Sequence, residues 1–203
     1  MTTSKSSILV VTGYCILAAG MLAFLTINGV PAPAAGTITT IGLLALGLLL
    51  PAAGMLELAR HNDPPHPTLR KGLILQSLSL IGILIGLVVS YIASSLSGHQ
   101  LAAVFIVPSG LAGLAGAIFI SKQTRARQLI IGAALIAVGA ALIPASDIAQ
   151  YTYLMLGIDK NVYQDIGATI AACGCVVAAY SFFVLRSRTQ AAAVSPDGIS
   201  ATP

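Results

Sequence analysis

"LILQSLSLIGILIGLVVSYIA", residues 73–93, decides the class of this protein. The run contains no charged side chain and only a few polar ones. Its length matches the roughly 20 helical residues needed to cross the hydrocarbon core of a bilayer, which is about 30 Å thick. Its apolar residues are continuous and do not alternate with polar ones. The stretch therefore predicts a membrane-spanning helix and not a strand of a membrane barrel.

The rest of the chain has the same character. Only 8% of the 203 residues are charged and the mean hydropathy is +0.94, whereas soluble domains are about 25% charged. A soluble fold of about 200 residues cannot hide so much apolar surface. The sequence therefore predicts an all-α, multi-pass membrane protein with one domain over residues 1–186. The six predicted spans are residues 8–30, 38–58, 73–93, 101–121, 129–145 and 166–185.

The basic residues predict the orientation of the chain. Of its 10 Lys and Arg, all but Lys160 fall near the termini or in the loops after the second and fourth spans. Because Lys and Arg collect on the cytoplasmic side, both termini are expected in the cytoplasm and the chain in the inner (cytoplasmic) membrane. Residues 187–203 are expected to form a disordered cytoplasmic tail. The basic residues are spread over short loops, so nucleic acid is not an expected partner.

The N-terminus leaves a second interpretation open. Lys5, an apolar run and then "VPAPAAG" (30–36) resemble a signal peptide with a cleavage site at residues 32–34. The apolar run, at about 22 residues, is longer than a typical signal-peptide core. This length favours retention as the first span. Cleavage would leave five spans and move no loop to the other side.

The spans group into three predicted hairpins, which start near residues 8, 73 and 129. The first helix of each hairpin carries two small residues seven positions apart, a spacing close to two helical turns, so each pair lies on one face. The pairs are Gly13 and Gly20, Ser79 and Gly86, and Gly132 and Gly139. This pattern predicts an internal repeat, in which one helical hairpin occurs three times.

Small residues at spacings of four or seven let membrane helices approach closely. The candidate helix-packing residues are Gly13, Gly20, Ser79, Gly82, Gly86, Ser109, Gly113, Ala133, Ala137, Gly139 and Ala141. Packing within one bundle is the favoured interpretation, and a subunit interface is the alternative. Pro51 and Pro108 are expected to interrupt the second and fourth helices, and Pro144 to end the fifth.

The most polar stretch is "RHNDPPHPTLRK", residues 60–71. His61, Asp63 and His66 within it are chemically acceptable ligands for zinc. However, three prolines prevent a helix that would set their spacing, and no cysteine accompanies them. The stretch is interpreted as the first cytoplasmic loop, and its three side chains as weak metal candidates.

No catalytic residue and no cofactor are predicted. His99 is assigned to an outer loop, so no predicted span has a histidine to ligate haem. Glu57, at the end of the second span, is the only charged residue within the spans, whereas ion-coupled transporters usually carry such groups in the bundle. The alternative is a polar path for a small neutral solute. The candidate lining residues are Tyr14, Gln76, Ser79, Ser109 and Thr169.

The chain resembles the HdeD-type acid-resistance membrane proteins. The stretches that carry the resemblance are "GYCILAAGMLAFL" (13–25), "SLIGILIGLVV" (79–89), "GAALIAVGAALIP" (132–144) and "LLLPAAGMLELAR" (48–60). The resemblance covers most of the chain as a pattern of small and apolar residues. It implies a six-span protein of repeated hairpins that has no enzymatic activity and is linked to envelope stress.

The sequence thus favours a non-catalytic membrane protein. It is expected to act as a stress-related helical bundle, or as an accessory or structural subunit packed against a larger membrane complex. The expected partners are membrane lipid and either other membrane subunits or further copies of the chain. The alternative function is a channel or transporter for a small neutral or weakly polar solute.

Overall fold

A computed structural model describes residues 2–27, 34–61, 66–92, 96–151 and 160–194. These residues form six α-helices and no strand. The helices are α1 (Thr2–Ile27), α2 (Ala34–Arg60), α3 (Pro67–Ile92), α4 (Leu96–Thr124), α5 (Gln128–Tyr151) and α6 (Lys160–Val194). Each is long and apolar enough to cross a membrane. The prediction of an all-α, multi-pass membrane protein is confirmed.

The helical form follows from the surroundings of the backbone. In hydrocarbon no water is present to pair with an exposed N–H or C=O group, so every such group must be satisfied within the segment. A helix meets that demand at every residue of its interior. The helices can therefore be apolar on all sides, with Leu46, Leu78 and Leu111 about half exposed or more. In a membrane such side chains face lipid or a partner protein.

Three prolines lie inside helices that continue past them. α2 contains Pro51, α4 contains Pro108 and α5 contains Pro144. The expectation that Pro144 ends the fifth helix is therefore wrong, because α5 continues to Tyr151. α2 and α4 likewise continue as helix past Pro51 and Pro108. Membrane helices tolerate proline where neighbouring groups or small local adjustments satisfy the freed carbonyl.

The last helix is longer than its predicted span. α6 begins at Lys160 and continues to Val194, beyond the predicted limits of 166 and 185. The helix thus includes residues 187–194, which the sequence analysis assigned to the tail. Residues 195–203 lie outside the described residues. A helix can extend past the hydrocarbon because its backbone hydrogen bonds do not depend on the polarity of the side chains.

The helices pack as a closed ring. Each helix contacts the next one along the chain, and α6 contacts α1. One apolar core contains residues from all six helices. Its most deeply buried large side chains include Leu17, Met55, Leu80, Ile106 and Leu129, each at most 1% exposed. The ring arrangement gives every helix two neighbours and leaves its outer face exposed.

The bundle has two chemically different ends. The ends of α1 and α3 and the starts of α2 and α6 line one cavity, and His99 at the start of α4 contacts Ser90 of α3. We call this the distal end, and the opposite one, which holds Thr2, the proximal end. Basic side chains gather at the proximal end: Lys5, Arg60, Arg70, Lys71, Lys122, Arg125, Arg127 and Arg186.

Candidate functional site

The metal candidates of the polar stretch do not form a site within the described residues. His61 is exposed, and its Nδ1 lies 3.0 Å from the carbonyl oxygen of Glu57 in the last turn of α2. His66 is exposed immediately before α3. Asp63 lies outside the described residues. Among the residues that the structure describes, no three His, Cys, Asp or Glu side chains are grouped as metal ligands.

The small residues of α1 face α2. A Cβ atom at Gly13 would collide with the ring of Pro51 and lie 2.7 Å from its nitrogen. At Gly20 it would lie 3.1 Å from the backbone nitrogen of Leu44. The absence of a side chain at Gly13 therefore makes room for the proline ring inside α2.

The predicted stripes of α3 and α4 face each other. A Cβ atom at Gly82 would collide with the Ser109 hydroxyl, and one at Gly113 would lie 2.5 Å from Ser79 Oγ. Gly86 faces Ala102, with its added Cβ 3.0 Å from that carbonyl oxygen. These candidate residues thus lie between two helices of the same chain.

The α5 candidates divide between two neighbours. Ala137 faces α4, where its Cβ would lie 2.9 Å from a Cβ added at Gly110. Gly139 faces α6: an added Cβ would collide with the Gly167 carbonyl oxygen and lie 2.5 Å from the nitrogen of Ala171. Ala133 is buried and Ala141 is half-buried. α5 is therefore held on both sides by small-residue contacts.

Glycines of α2 and α6 complete these contacts, and the sequence analysis, which named Gly113 of α4, missed them. Gly47 and Gly54 of α2, and Gly167 and Gly174 of α6, also lie seven residues apart. A Cβ at Gly174 would lie 2.7 Å from the Gly132 carbonyl oxygen, and one at Gly47 would lie 2.5 Å from Leu17 Cα. The same spacing rule applied to every span, and not only to the first of each pair, would have found them.

The five candidate path residues do not come together. Tyr14 is buried between α1 and α6, where its ring stacks on Phe182 with the ring centroids 6.2 Å apart. Thr169 is exposed, and its hydroxyl donates to the carbonyl oxygen of Asp165 one turn earlier, at 2.8 Å. The other three lie around the α3–α4 contact. They are Gln76, Ser79 and Ser109.

A small cavity lies beside Gln76. Gln76, Ser79, Gly113 and Ala137 are among its lining residues, and its volume is about 10 Å³. That volume is at the lower limit for one water molecule, roughly 10–15 Å³. Gln76 is 3% exposed, and its Nε2 has no hydrogen-bond partner among the described residues. The polar cluster is therefore compact, and its Gln76 Nε2 is unpaired among the described residues.

A much larger cavity opens at the distal end, with a volume of about 480 Å³. Small-molecule sites usually measure about 300–1,000 Å³ and combine apolar walls with a few polar groups. The wall here is mainly apolar, with side chains such as Met21, Phe24, Leu44, Leu84 and Leu87. Its polar lining residues are Thr37, Thr40, Ser90 and Gln164. We call this space the distal cavity; its size and its mixture of apolar and polar lining residues match those of a small-molecule site.

The assignment of His99 to a loop is wrong. α4 begins at Leu96, which places His99 in the first turn of that helix, 8% exposed. Its Nδ1 lies 3.2 Å from Ser90 Oγ near the end of α3. Hydropathy falls in this part of the sequence, yet the helix has already begun. A part-buried Ser–His pair therefore lies beside the distal cavity, which Ser90 helps to line.

No protein-family model, curated protein or solved structure matches this chain.

Proposed function

We propose that this protein is a non-catalytic membrane bundle that works through its packing surfaces, as an accessory or structural subunit of a larger membrane complex or as a stress-related bundle. The observation that carries the proposal is where the small residues lie. Those with the closest approaches lie between helices of the same chain, so the bundle is held together from within. Its outer faces, with side chains such as Leu22, Leu46 and Val104 more than half exposed, remain for lipid or partner subunits.

We propose that the helices form three hairpins, α1–α2, α3–α4 and α5–α6, in the inner membrane. Both termini then lie in the cytoplasm. Close antiparallel approaches within each pair support the grouping, such as Gly139 on Gly167 and Gly132 on Gly174. The cluster of basic side chains at the proximal end supports the orientation, since Lys and Arg favour the cytoplasmic side. The HdeD-type resemblance would add the link to envelope stress.

A topology measurement tests the orientation. Single cysteines introduced at Gln123 and at Ser97, in a variant without the three native cysteines, would be treated with a thiol reagent that does not cross membranes. In cells with only the outer surface accessible, we expect labelling at Ser97→Cys and none at Gln123→Cys. The reverse pattern would overturn the orientation.

Native purification tests the role as a subunit. The full chain would be extracted in mild detergent and its co-migrating proteins identified by mass spectrometry, before and after acid stress. A stoichiometric membrane partner is the expected result for an accessory subunit. A lone monomer or homo-oligomer under both conditions would contradict that role and leave the stress-related bundle.

A channel or transporter for a small neutral solute is the alternative function. It requires polar side chains that line one route, whereas Tyr14, Thr169 and the Gln76 cluster occupy separate places. Flux assays in liposomes with pure protein test it. We expect no glycerol or urea flux above that of empty liposomes, and a protein-dependent flux would replace our proposal with the transport function.

A further inference from the structure

The distal cavity differs from the rest of the interior in the way its polar groups are placed. Thr37 and Thr40 lie in the first two turns of α2, Ser90 lies near the end of α3, and Gln164 lies in the second turn of α6. All four therefore lie toward the distal rim. The cavity continues along α2 to Ala45, about 12 Å from Thr37 at 1.5 Å per residue, and that deeper part is lined by apolar side chains.

The cavity needs an apolar occupant. An apolar occupant would give the side chains around this space of about 480 Å³ dispersion contacts that they lack when it is empty. Water is a poor filling, because cavities lined by apolar side chains stay dry. Two lining residues, Ile41 at 37% and Val88 at 43%, are exposed, and they belong to the neighbouring helices α2 and α3.

The residues at the rim of the cavity restrict the kind of head group that a ligand can carry. Among the described lining residues none is charged, whereas four carry a hydroxyl or an amide group; this lining matches an uncharged polar head group better than a carboxylate or an ammonium. The Thr40 hydroxyl donates its proton to the Gly36 carbonyl oxygen at 3.0 Å, and Ser90 Oγ contacts His99. A hydroxyl has one proton but two lone pairs. Thr40 therefore offers the ligand an acceptor, which a hydroxyl on the ligand can satisfy.

We propose that the distal cavity binds an uncharged amphiphile, with a hydroxylated head group at the rim and an apolar chain or ring system in the interior. Thr40 and Ser90 contact the head, and Phe24, Leu44 and Leu87 enclose the apolar part. The site is independent of whether the bundle has protein partners.

Photolabelling of the full chain in phosphatidylcholine nanodiscs tests the proposal. The probe is monolauroylglycerol with a diazirine in its chain, and labelled peptides are identified by mass spectrometry. We expect labelling that saturates at one probe per chain, falls on residues of the cavity wall, and disappears with excess unlabelled monolauroylglycerol. Labelling that rises without saturation and spreads over the exposed outer faces would overturn the site.

Two alanine-to-phenylalanine variants of α2 provide a matched pair. Ala45 lines the cavity, whereas Ala53 is exposed on the same helix. We expect Ala45→Phe to lower saturable labelling by about tenfold or more, equivalent to about 1.4 kcal/mol of binding free energy, and Ala53→Phe to leave it unchanged. Equal labelling of the two variants, both with wild-type thermal transitions, would refute the cavity as the site.

The head-group assignment is tested on the wild-type chain by competition. Laurate, which is charged, and methyl laurate, which has no donor, are expected to compete about tenfold less well than monolauroylglycerol, the usual cost of one unpaired polar group. The isosteric change Thr40→Val should remove the advantage of monolauroylglycerol over methyl laurate. Equal competition by laurate would contradict an uncharged ligand, and an unchanged preference in Thr40→Val would contradict the role of that hydroxyl.

Discussion

The α5–α6 contact and the distal cavity show two opposite ways in which these helices meet. Between α5 and α6, glycine faces glycine: a Cβ at Gly167 would lie 2.8 Å from the Gly139 carbonyl oxygen, and one at Gly174 would lie 2.7 Å from that of Gly132. Around the distal cavity, large side chains such as Phe24, Leu44 and Leu87 face one another. The first contact brings backbones together, and the second leaves about 480 Å³ between helices.

This difference follows from the medium. Lipid tails are as apolar as leucine, so burying a leucine between helices gains little free energy over leaving it in lipid. Close fit and dispersion therefore decide where helices associate, and small residues give the closest fit. Large branched side chains keep helices apart, and the space that results is available to a ligand.

The largest expected effect comes from filling the closest contact between a glycine and the backbone of a neighbouring helix. In Gly139→Ala the new Cβ would meet backbone atoms of Gly167 and Ala171, which cannot move aside as a flexible side chain could. We expect a loss of about 1–3 kcal/mol in the free energy of unfolding, as for other overpacked sites. Reversible unfolding in SDS, followed by near-ultraviolet circular dichroism, measures it.

Gly42→Ala is the matched control for that change. Nothing lies within 4 Å of a Cβ added at Gly42, so the alanine should gain up to about 1 kcal/mol from its better helix propensity. The two glycine-to-alanine substitutions should thus change the free energy of unfolding in opposite directions. A neutral Gly139→Ala would show that the α5–α6 contact is looser than the structure describes.

An intermediate effect is expected from the polar contact between α2 and α3. The Ser77 hydroxyl, which is fully buried, donates to the Ala52 carbonyl oxygen of the neighbouring helix at 2.9 Å. Interhelical hydrogen bonds of this kind contribute about 0.6–1.7 kcal/mol in membranes, so Ser77→Ala should lower the free energy of unfolding by that amount. The same SDS titration measures it.

Ser181→Ala is the control for the hydroxyl itself. Ser181 is also buried, at 2% exposed, but its hydroxyl donates to the Val177 carbonyl oxygen within the same helix, at 2.8 Å. Because that bond joins no two helices, we expect a change of less than about 0.5 kcal/mol. Equal losses for the two serines would argue against a special role for the α2–α3 bond.

The smallest effect is expected at the unpaired amide of the close-packed region. Gln76→Met keeps the volume of the side chain and removes the unpaired Nε2. An unsatisfied buried donor costs about 1–3 kcal/mol of stability, which the substitution would recover. Because methionine does not fit the site as well as glutamine, part of that gain is lost. The variant should therefore be neutral to about 1 kcal/mol more stable. Gln76→Ala, which also enlarges the neighbouring cavity, should be less stable than both the wild-type chain and Gln76→Met. A marked loss in Gln76→Met would reveal a partner for this amide.

The spans could be predicted because each one depends on its own composition. The residue range 38–58 lies within Ala34–Arg60, and 101–121 lies within Leu96–Thr124. The helix ends could not be predicted from hydropathy. His99 and Pro144 were misassigned because polarity and proline usually mark the end of a helix, whereas in a bundle the neighbouring helices can accommodate both.

The candidate residues were predicted unevenly for a related reason. Gly82, Gly113 and Gly139 follow short spacings along one helix, and such spacings fix which residues share a face. The spacing does not show which helix each face packs against, and Gly167 and Gly174 were missed because the seven-residue rule was applied only to the first helix of each hairpin. Tyr14, Gln76 and Thr169 were considered as the lining of one solute path because they are polar residues within spans. The sequence does not show which helices surround each of them, so their separation could not be predicted.

The sequence by itself determined the class of the protein, the six spans and the faces that carry small residues, because hydrophobic length and helical periodicity are properties of single segments. Only the tertiary structure decided that α6 closes the ring against α1, that Ser90 contacts His99 and that a large cavity remains at the distal end. Those features depend on the shape fit between segments far apart in the chain. In lipid that fit, and not hydrophobicity, selects the neighbours of each helix.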